Sequence, residues 1–418
     1  MRLTPIDPVT AMRPFGDEPW AALLASDGSE GATRSFLLRR PDRTLTLAAD
    51  DISDAQTTIR DFLASSTGMV LGLAAYELGA RVEPVALPRD PDWPDLILGH
   101  YPAWLELDHA AGTVSGRGGD PEAALAWLAA TADAPASPAA TFEPEARPEA
   151  FEAAVADVVR RIGEGELFQA NIAQAWRGEL AVGATPWGAF ERLAATSPAP
   201  LAAFWRLPDR ALVSHSPERF LELQGRRVRT RPIKGPRPRG ATPDEDAGLA
   251  AELSSSAKDR AENLMIVDLM RNDLARVCEP GSVEVTDLFA VEAFPNVWHL
   301  VSTVEGDLRE GADAADLLAA TFPPGSITGA PKTQAMRVIS ALEGPRGPWC
   351  GSLFRVDPDG SMDSSVLIRT AAFVEDAGGW RFRTLAGAGI TADSEPLAER
   401  LETEAKIAGL RRALTEAP

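Results

Sequence analysis

An α+β fold with large antiparallel or mixed sheets is predicted by three features of the sequence. Strand-like runs outnumber helix-like ones, many follow one another with no helix between them, and no repeat of roughly 20 to 50 residues is visible. A doubly wound parallel sheet would alternate strand and helix instead. The 418 residues suffice for two or three ordinary domains, or for one large unit with an appendage. With 45% hydrophobic and 24% charged residues the chain is globular rather than disordered.

Within residues 1–130, short β-like runs at Ser35–Leu38, Met69–Leu73 and Leu96–Leu98 mix with helices, and no chemical constellation stands out. Residues 131–149 are rich in Ala, Pro, Ser and Thr without apolar periodicity, which predicts an exposed linker between the N-terminal region and a second unit, 150–418. Pro148 then opens a helix whose Phe151, Val155, Val158, Val159 and Ile162 share one face, and which ends near Gly163 and Gly165. Strands follow at Phe168–Ala173, Leu201–Trp205, Leu212–Ser214, Phe220–Leu223, Val283–Val285, Leu353–Val356, Val366–Phe373 and Trp380–Ala386, interleaved with a few long helices.

The net charge of −20 disfavours nucleic acid and anionic membrane as partners, so any anionic ligand needs a local basic pocket. No apolar run long enough to span a bilayer occurs, and the N-terminal stretch lacks a signal-peptide core, so a cytoplasmic protein is expected. Cys278 and Cys350 are too few for a disulfide framework or a cysteine-built zinc site. His100, His109, His215 and His299 show no paired metal spacing, and no hydrolase elbow, dinucleotide fingerprint or Cys–His signature is present.

Three constellations carry possible chemistry. In KDRAENLMIVDLMRNDLARV, Leu264, Val267, Met270, Leu274 and Val277 mark a buried stripe, while Asp259 and Glu262 project together near the helix start. Asp393 or Ser394 caps a second helix bearing Glu399 and Glu402 with the same spacing. Four carboxylates without His or Cys suit Mg²⁺, although solvated helix surface explains either pair alone. The segment RTRPIKGPRPRG, 229–240, reads as a basic loop suited to a small dianion, with Lys234 in a constrained turn as nucleophile, base or plain anion contact. PPGSITGAPK, 323–332, leads into a helix with Pro331 at its first position, and AGAGI, 386–390, ends a strand where a ligand can approach the backbone.

Taken in order, ELFQANIAQ, SPERF, RPIKGPRPRG, KDRAENLMIVDLMRNDLARVC, VEAFPNVWHLVSTVEG, FPPGSITGAPKTQAM, GPWCGSLF and AGAGITADSEPLAERLETEAK resemble the chorismate-utilising enzymes over nearly all of 150–412. The resemblance implies the layered α+β fold of anthranilate synthase component I, with a cleft between two sheet-and-helix halves. It also implies Glu262 and Glu402 as Mg²⁺ ligands, with Asp259 and Glu399 holding its waters, and the metal on the ring carboxylate of chorismate. Arg369 and the amides of Gly387, Ala388 and Gly389 are then expected to hold the enolpyruvyl carboxylate. Thr328, Trp349 and Lys406 line the site, His299 is the active-site histidine, and Glu218 is the general acid for the C4 hydroxyl.

Two positions discriminate within the resemblance. Members that add water carry a lysine where Gln169 stands. Members that make anthranilate read PIAG where this chain has PIKG, the mark of the aminodeoxychorismate synthases, in which the lysine attacks C2 of the ring. Pro236 departs from the threonine that usually follows PIKG. The implied activity is therefore amination of chorismate through Lys234, with a separate glutamine amidotransferase supplying ammonia for p-aminobenzoate and folate synthesis. The alternatives are anthranilate synthase component I and a non-catalytic chorismate-binding protein.

Overall fold

The structure, a computed structural model, describes residues 6–29, 32–136, 138, 140–294 and 297–416. Residues 137 and 139 of the expected linker, and Pro295 and Asn296 of the VEAFPNVWH string, lie outside them. Two large sheets, antiparallel at every described pairing, form the frame. The first has eleven strands, running from Gly329–Ala330 through Gln169–Glu179, Gly379–Ile390, Thr370–Asp376, Arg210–Ser216 and Leu201–Arg206 to four strands from residues 22–118. The second has ten, running from Ile233–Pro238 and Val297–Asp307 through Arg227–Thr230, Arg219–Gln224, Met362–Val366 and Ser352–Val356 to Met69–Ala74, Leu96–Tyr101 and Arg43–Leu47.

The first 130 residues thus complete both sheets, and the 131–149 connection does not divide the chain into separate cores. That connection is largely exposed yet pinned. Glu143–Pro144 pairs with Gln169–Glu179, and Thr141 N and Glu145 N donate to Glu179 O (3.1 Å) and Ala175 O (2.9 Å). Met69–Ala74 and Leu96–Tyr101 are buried along their whole length, so they read as continuous apolar runs rather than alternating ones. Leu71, Leu73, Ile97 and Leu353 of the second sheet share one core with Phe36, Leu38, Trp205 and Leu212 of the first. Inside it the Trp205 indole donates to the Tyr101 hydroxyl at 3.0 Å, which donates to Trp20 O at 2.8 Å, so both buried polar tips are satisfied. The helices cover the other faces: Ala257–Ala275 and Ala314–Thr321 pack on the second sheet, Pro186–Thr196 and Pro396–Thr415 on the first.

Several sequence expectations are corrected here. The run Val366–Phe373 is two strands in different sheets, Met362–Val366 and Thr370–Asp376, with Arg369 at φ 52° in the crossing between them. The segment 229–240 is not a loop: Arg227–Thr230 and Ile233–Pro238 pair with Val297–Asp307, and a register shift separates Lys234 from Arg237. Pro236 sits in that irregularity on an edge strand, where a missing N–H costs no ladder bond. Leu264 is 43% exposed, because Ile266 rather than Leu264 joins Val267, Met270 and Leu274 inside. Neither Asp393 nor Ser394 caps the last helix; Glu395 holds that position, and the Ser394 hydroxyl donates instead to Glu399 at 2.7 Å. Pro331 stands one residue before the helix Lys332–Leu342 rather than inside it.

Candidate active site

A cleft of about 420 Å³, within the usual range for small-molecule sites, opens where the two sheets meet the helices Ala257–Ala275 and Pro396–Thr415. Two chain crossings build its floor. Arg210–Ser216 of the first sheet continues into Arg219–Gln224 of the second, which leaves Glu218 at the crossing. Arg369 occupies the second crossing, and Trp349 and the Gly387 to Gly389 strand end close the far side. Glu218 is 5% exposed; burial, against a Ser326 hydrogen bond and the charges of Lys234 and Lys406, pushes its pKa up to about 6. Such a carboxyl keeps its proton to a higher pH than an ordinary glutamate and gives it up as pH rises through about 6.

Lys234 and Arg369 have no carboxylate within 4 Å among the described residues, in contrast to most cations of this chain. Burial lowers the Arg369 pKa, which marks an unpaired guanidinium that an anionic ligand would stabilise. Gly389 leaves room for Gln169 and stands beside the lysine: a Cβ there would lie 2.6 Å from Gln169 Nε2 and in ordinary contact, 3.8 Å, with Lys234 Nζ. Gly235, at φ +61°, likewise lets the Asp259 carboxyl close in, since a Cβ would lie 2.8 Å from its Cγ. His299 is buried; burial first and then the Arg369 charge push its pKa down to about 4, the Lys234 backbone acting the other way.

The basic field expected of 229–240 is largely spent. Arg229 pairs with Glu305, Arg231 with Glu292, Arg237 with Glu252 and Asp259, and Arg239 with Asp246. The free positive charge of the cleft comes from Lys234 and Arg369 instead. Lys406 is shared, donating to Glu402 at 2.7 Å and to Gly387 O at 2.9 Å.

Asp259, Glu262, Glu399 and Glu402 all line the cleft. Burial raises Glu262, with Asp259 and Glu402 adding to the effect against Lys234 and Lys258. Burial opposes ionisation at Glu402 too, but Lys406 outweighs it and holds that carboxyl below the ordinary range. Among the described residues no group of three His, Cys, Asp or Glu side chains is arranged to hold a metal ion. Arg237 lies 2.9 Å from Asp259 and Lys258 3.9 Å from Glu262, so these carboxylates are held by nearby cations.

A family model of chorismate binding enzymes matches residues 17–412. The chain belongs to the chorismate binding enzyme family. Aminodeoxychorismate synthase component 1 of Klebsiella aerogenes is 41% identical to it, across 94% of this chain and 93% of its own length. Anthranilate synthase component 1 of Aeropyrum pernix is 35% identical, across 95% and 90%. The crystal structure of anthranilate synthase component I from Streptococcus pneumoniae TIGR4 superposes with a TM-score of 0.80 at 28% identity, covering 100% of this chain and 99% of that one. The layered α+β fold is therefore the family's own, and the match extends well upstream of residue 150, into strands that complete both sheets.

Of the residues expected in the chorismate site, Lys234, Glu218, Arg369, Trp349, Gly387, Gly389, Lys406, His299 and the four carboxylates line the cleft. Three do not. Thr328 is fully buried and its hydroxyl donates to Pro324 O at 3.1 Å, which serves the turn rather than a ligand. Ala388 points the other way, into the apolar cluster under Phe151 and Val155, because successive strand residues face opposite sides. Gln169 lies beneath Gly389, fully buried, with both amide atoms lacking partners. Ser326, Asn171 and Lys258 line the cleft and were not anticipated. Ser326 and Lys258 lie inside the quoted PPGSITGAPK and KDRAEN strings, and Lys258 stands four residues before Glu262 on one helix face. Asn171 likewise lies inside the quoted ELFQANIAQ string. None of the helices among the described residues is long and apolar enough to cross a membrane.

Proposed function

We propose that the protein is an aminodeoxychorismate synthase component I, which converts chorismate and ammonia to 4-amino-4-deoxychorismate. The observation that carries this reading is Lys234: a primary amine without an ion pair among the described residues, beside Gly389 in a cleft that also holds a buried carboxyl, Glu218, whose pKa burial raises to about 6. Lys234 Nζ forms a bond to C2 of the ring while Glu218 gives its proton to the C4 hydroxyl, which leaves as water. Ammonia then bonds C4 and expels the lysine amine. Arg369 and the Gly387 to Gly389 amides hold one substrate carboxylate. Anthranilate synthase component I is the second reading, supported by the 35% identity to the Aeropyrum pernix protein, and Lys234 is the residue that disfavours it.

Glu262, Glu402, Asp259 and Glu399 offer the all-oxygen donors that Mg²⁺ takes, although no three of them are gathered around one point among the described residues; burial first, and then Asp259 and Glu402, raise Glu262, and a divalent cation would relieve that cost. When bound there, the ion would neutralise the other substrate carboxylate. The ammonia source is a partner glutaminase. Cys278 and Cys350 are 1% and 0% exposed, and burial raises both thiols, so neither serves as a glutaminase nucleophile. The test is product analysis with chorismate, Mg²⁺ and ammonium. 4-Amino-4-deoxychorismate is expected, and glutamine is expected to replace ammonium only after a glutaminase is added. Anthranilate as the product would sink the reading.

A further inference from the structure

The outer edge of the strand Gln169–Glu179 is completed by an ion pair where strands run out. Gly329–Ala330 pairs with it only at Gln169 and Ala170, and Glu143–Pro144 only at Trp176 and Arg177. Between these, Asn171 O accepts from Arg346 Nη2 at 2.6 Å, and Ala173 N donates to Glu343 Oε1 at 2.7 Å. Arg346 and Glu343 are themselves joined through two hydrogen bonds of 3.0 and 3.1 Å. Two side chains thus do what a third strand would do.

The guanidinium reaches further. Its Nη1 donates to Ile327 O at 3.1 Å, and its Cζ lies over the rings of Tyr76, 4.6 Å from the centroid, and Trp349, 5.1 Å from the centroid. Asn171, Ile327 and Trp349 all line the cleft, whereas Arg346, with 1% of its side chain exposed, does not. Asn171 and Trp349 also meet over Gly387: a Cβ there would lie 2.4 Å from Asn171 Oδ1 and 3.0 Å from the Trp349 ring.

We propose that Arg346 is a positioning residue for the amination, the single group that sets the spacing of three cleft walls contributed by three separate segments. The inference rests on the chorismate reading above. A planar fork meets two carbonyls, a carboxylate and two rings at once, which an ammonium of the same charge cannot do. Arg346→Lys keeps the charge opposite Glu343 and releases the walls. The expected result is a folded protein with wild-type circular dichroism and a lower melting temperature, assayed well below it, whose chorismate KM rises about tenfold or more while the ammonium KM is unchanged. Tyr76→Leu, which keeps an apolar neighbour and removes only one stacking ring, guards against failure of the first variant to fold, and it is expected to raise the chorismate KM about threefold. Wild-type kinetics in folded Arg346→Lys, or in Tyr76→Leu, would overturn the proposal. If the wild-type protein itself fails to consume chorismate, the functional reading falls instead.

Discussion

Glu218 and Arg369 stand on neighbouring crossings between the two sheets, and the backbone rather than their own side chains keeps them in register. His215 N, just before the first crossing, donates to Arg369 O at 3.1 Å, while Val366 N, just before the second, donates to Glu218 O at 3.0 Å. The acid and the cation therefore share one floor without forming an ion pair among the described residues. Pairing them would spend both: the carboxyl would lose its proton, and the guanidinium would lose its capacity for a ligand anion.

Arg369 is accordingly expected to act in binding. Arg369→Gln removes the one half-buried guanidinium of the cleft that lacks a carboxylate, so the chorismate KM should rise roughly 10- to 100-fold, the scale of a lost charge-assisted hydrogen bond. Steady-state kinetics decide it, and an unchanged KM removes Arg369 from the carboxylate site.

Glu218 makes a prediction in pH. Its folded pKa of about 6 exceeds the ordinary carboxyl value, so the strain is absent at low pH and stability is lost as pH rises through 6. Glu218→Gln should raise the melting temperature at pH 8 but not at pH 4, and should lower kcat about 10²- to 10⁴-fold. For the wild type, kcat/KM should descend with an apparent pKa near 6 as the acid loses its proton. A variant that melts with wild-type pH dependence contradicts the raised pKa.

His299 carries the opposite sign. Its folded pKa, near 4, lies below the free value, so it stabilises the fold above about pH 6.5 and that contribution fades as pH falls toward 4. The ring is also packed edge-on against Phe294 at 5.1 Å. Acid melting curves of wild type and His299→Phe should diverge between pH 6.5 and 4, with the wild type losing the more; parallel curves would refute it.

How much of this was legible in the sequence depends on the range of the contact. The helix Pro148–Gly163 follows from its apolar spacing and from Pro148, which are local. The strand Arg210–Ser216 and its neighbours follow from short apolar runs. The crossing at Arg369 was invisible, because Val366–Phe373 is apolar on both sides of it and nothing local says that the two ends belong to different sheets. The basic character of 229–240 misled for a related reason: Glu305 and Glu292 come from distant strands, and Glu252 and Asp246 from the helix Pro243–Ser255 that folds back on the segment. Thr328 is turned away from the cleft, and the Ala388 side chain too, because a motif string names neighbours in the chain, while facing the cleft depends on strand alternation and turn geometry; the expectation for Ala388 concerned its backbone amide, which the side chain's direction leaves untouched.

The four carboxylates predict a cation that can be read without turnover. Mg²⁺ should raise the melting temperature of the wild type by mass action, and Glu402→Gln should weaken that shift together with activity. Full turnover in excess EDTA, or an equal Mg²⁺ shift in the variant, would remove the metal from this site.

Lys234 decides the product. Its strand is irregular just after it and Gly235 yields to Asp259, and the side chain reaches the cleft with no carboxylate within 4 Å among the described residues. A nucleophilic role requires the neutral amine form of the lysine in the substrate complex. Arg237 is bonded to Asp259 beside it, and the proposed cation site adjoins Glu262. Lys234→Ala leaves Glu218, Arg369 and the four carboxylates in place, so chorismate binding should survive while C4 amination falls about a thousandfold or more. The same exchange recreates the PIAG string and opens C2 to ammonia directly, so a 2-amino product is the expected residual activity. Intact-mass analysis of the wild type with chorismate and no ammonia should show a ring adduct that Lys234→Ala lacks. If Lys234→Ala forms 4-amino-4-deoxychorismate at the wild-type rate, the lysine is an anion contact and the covalent route is wrong.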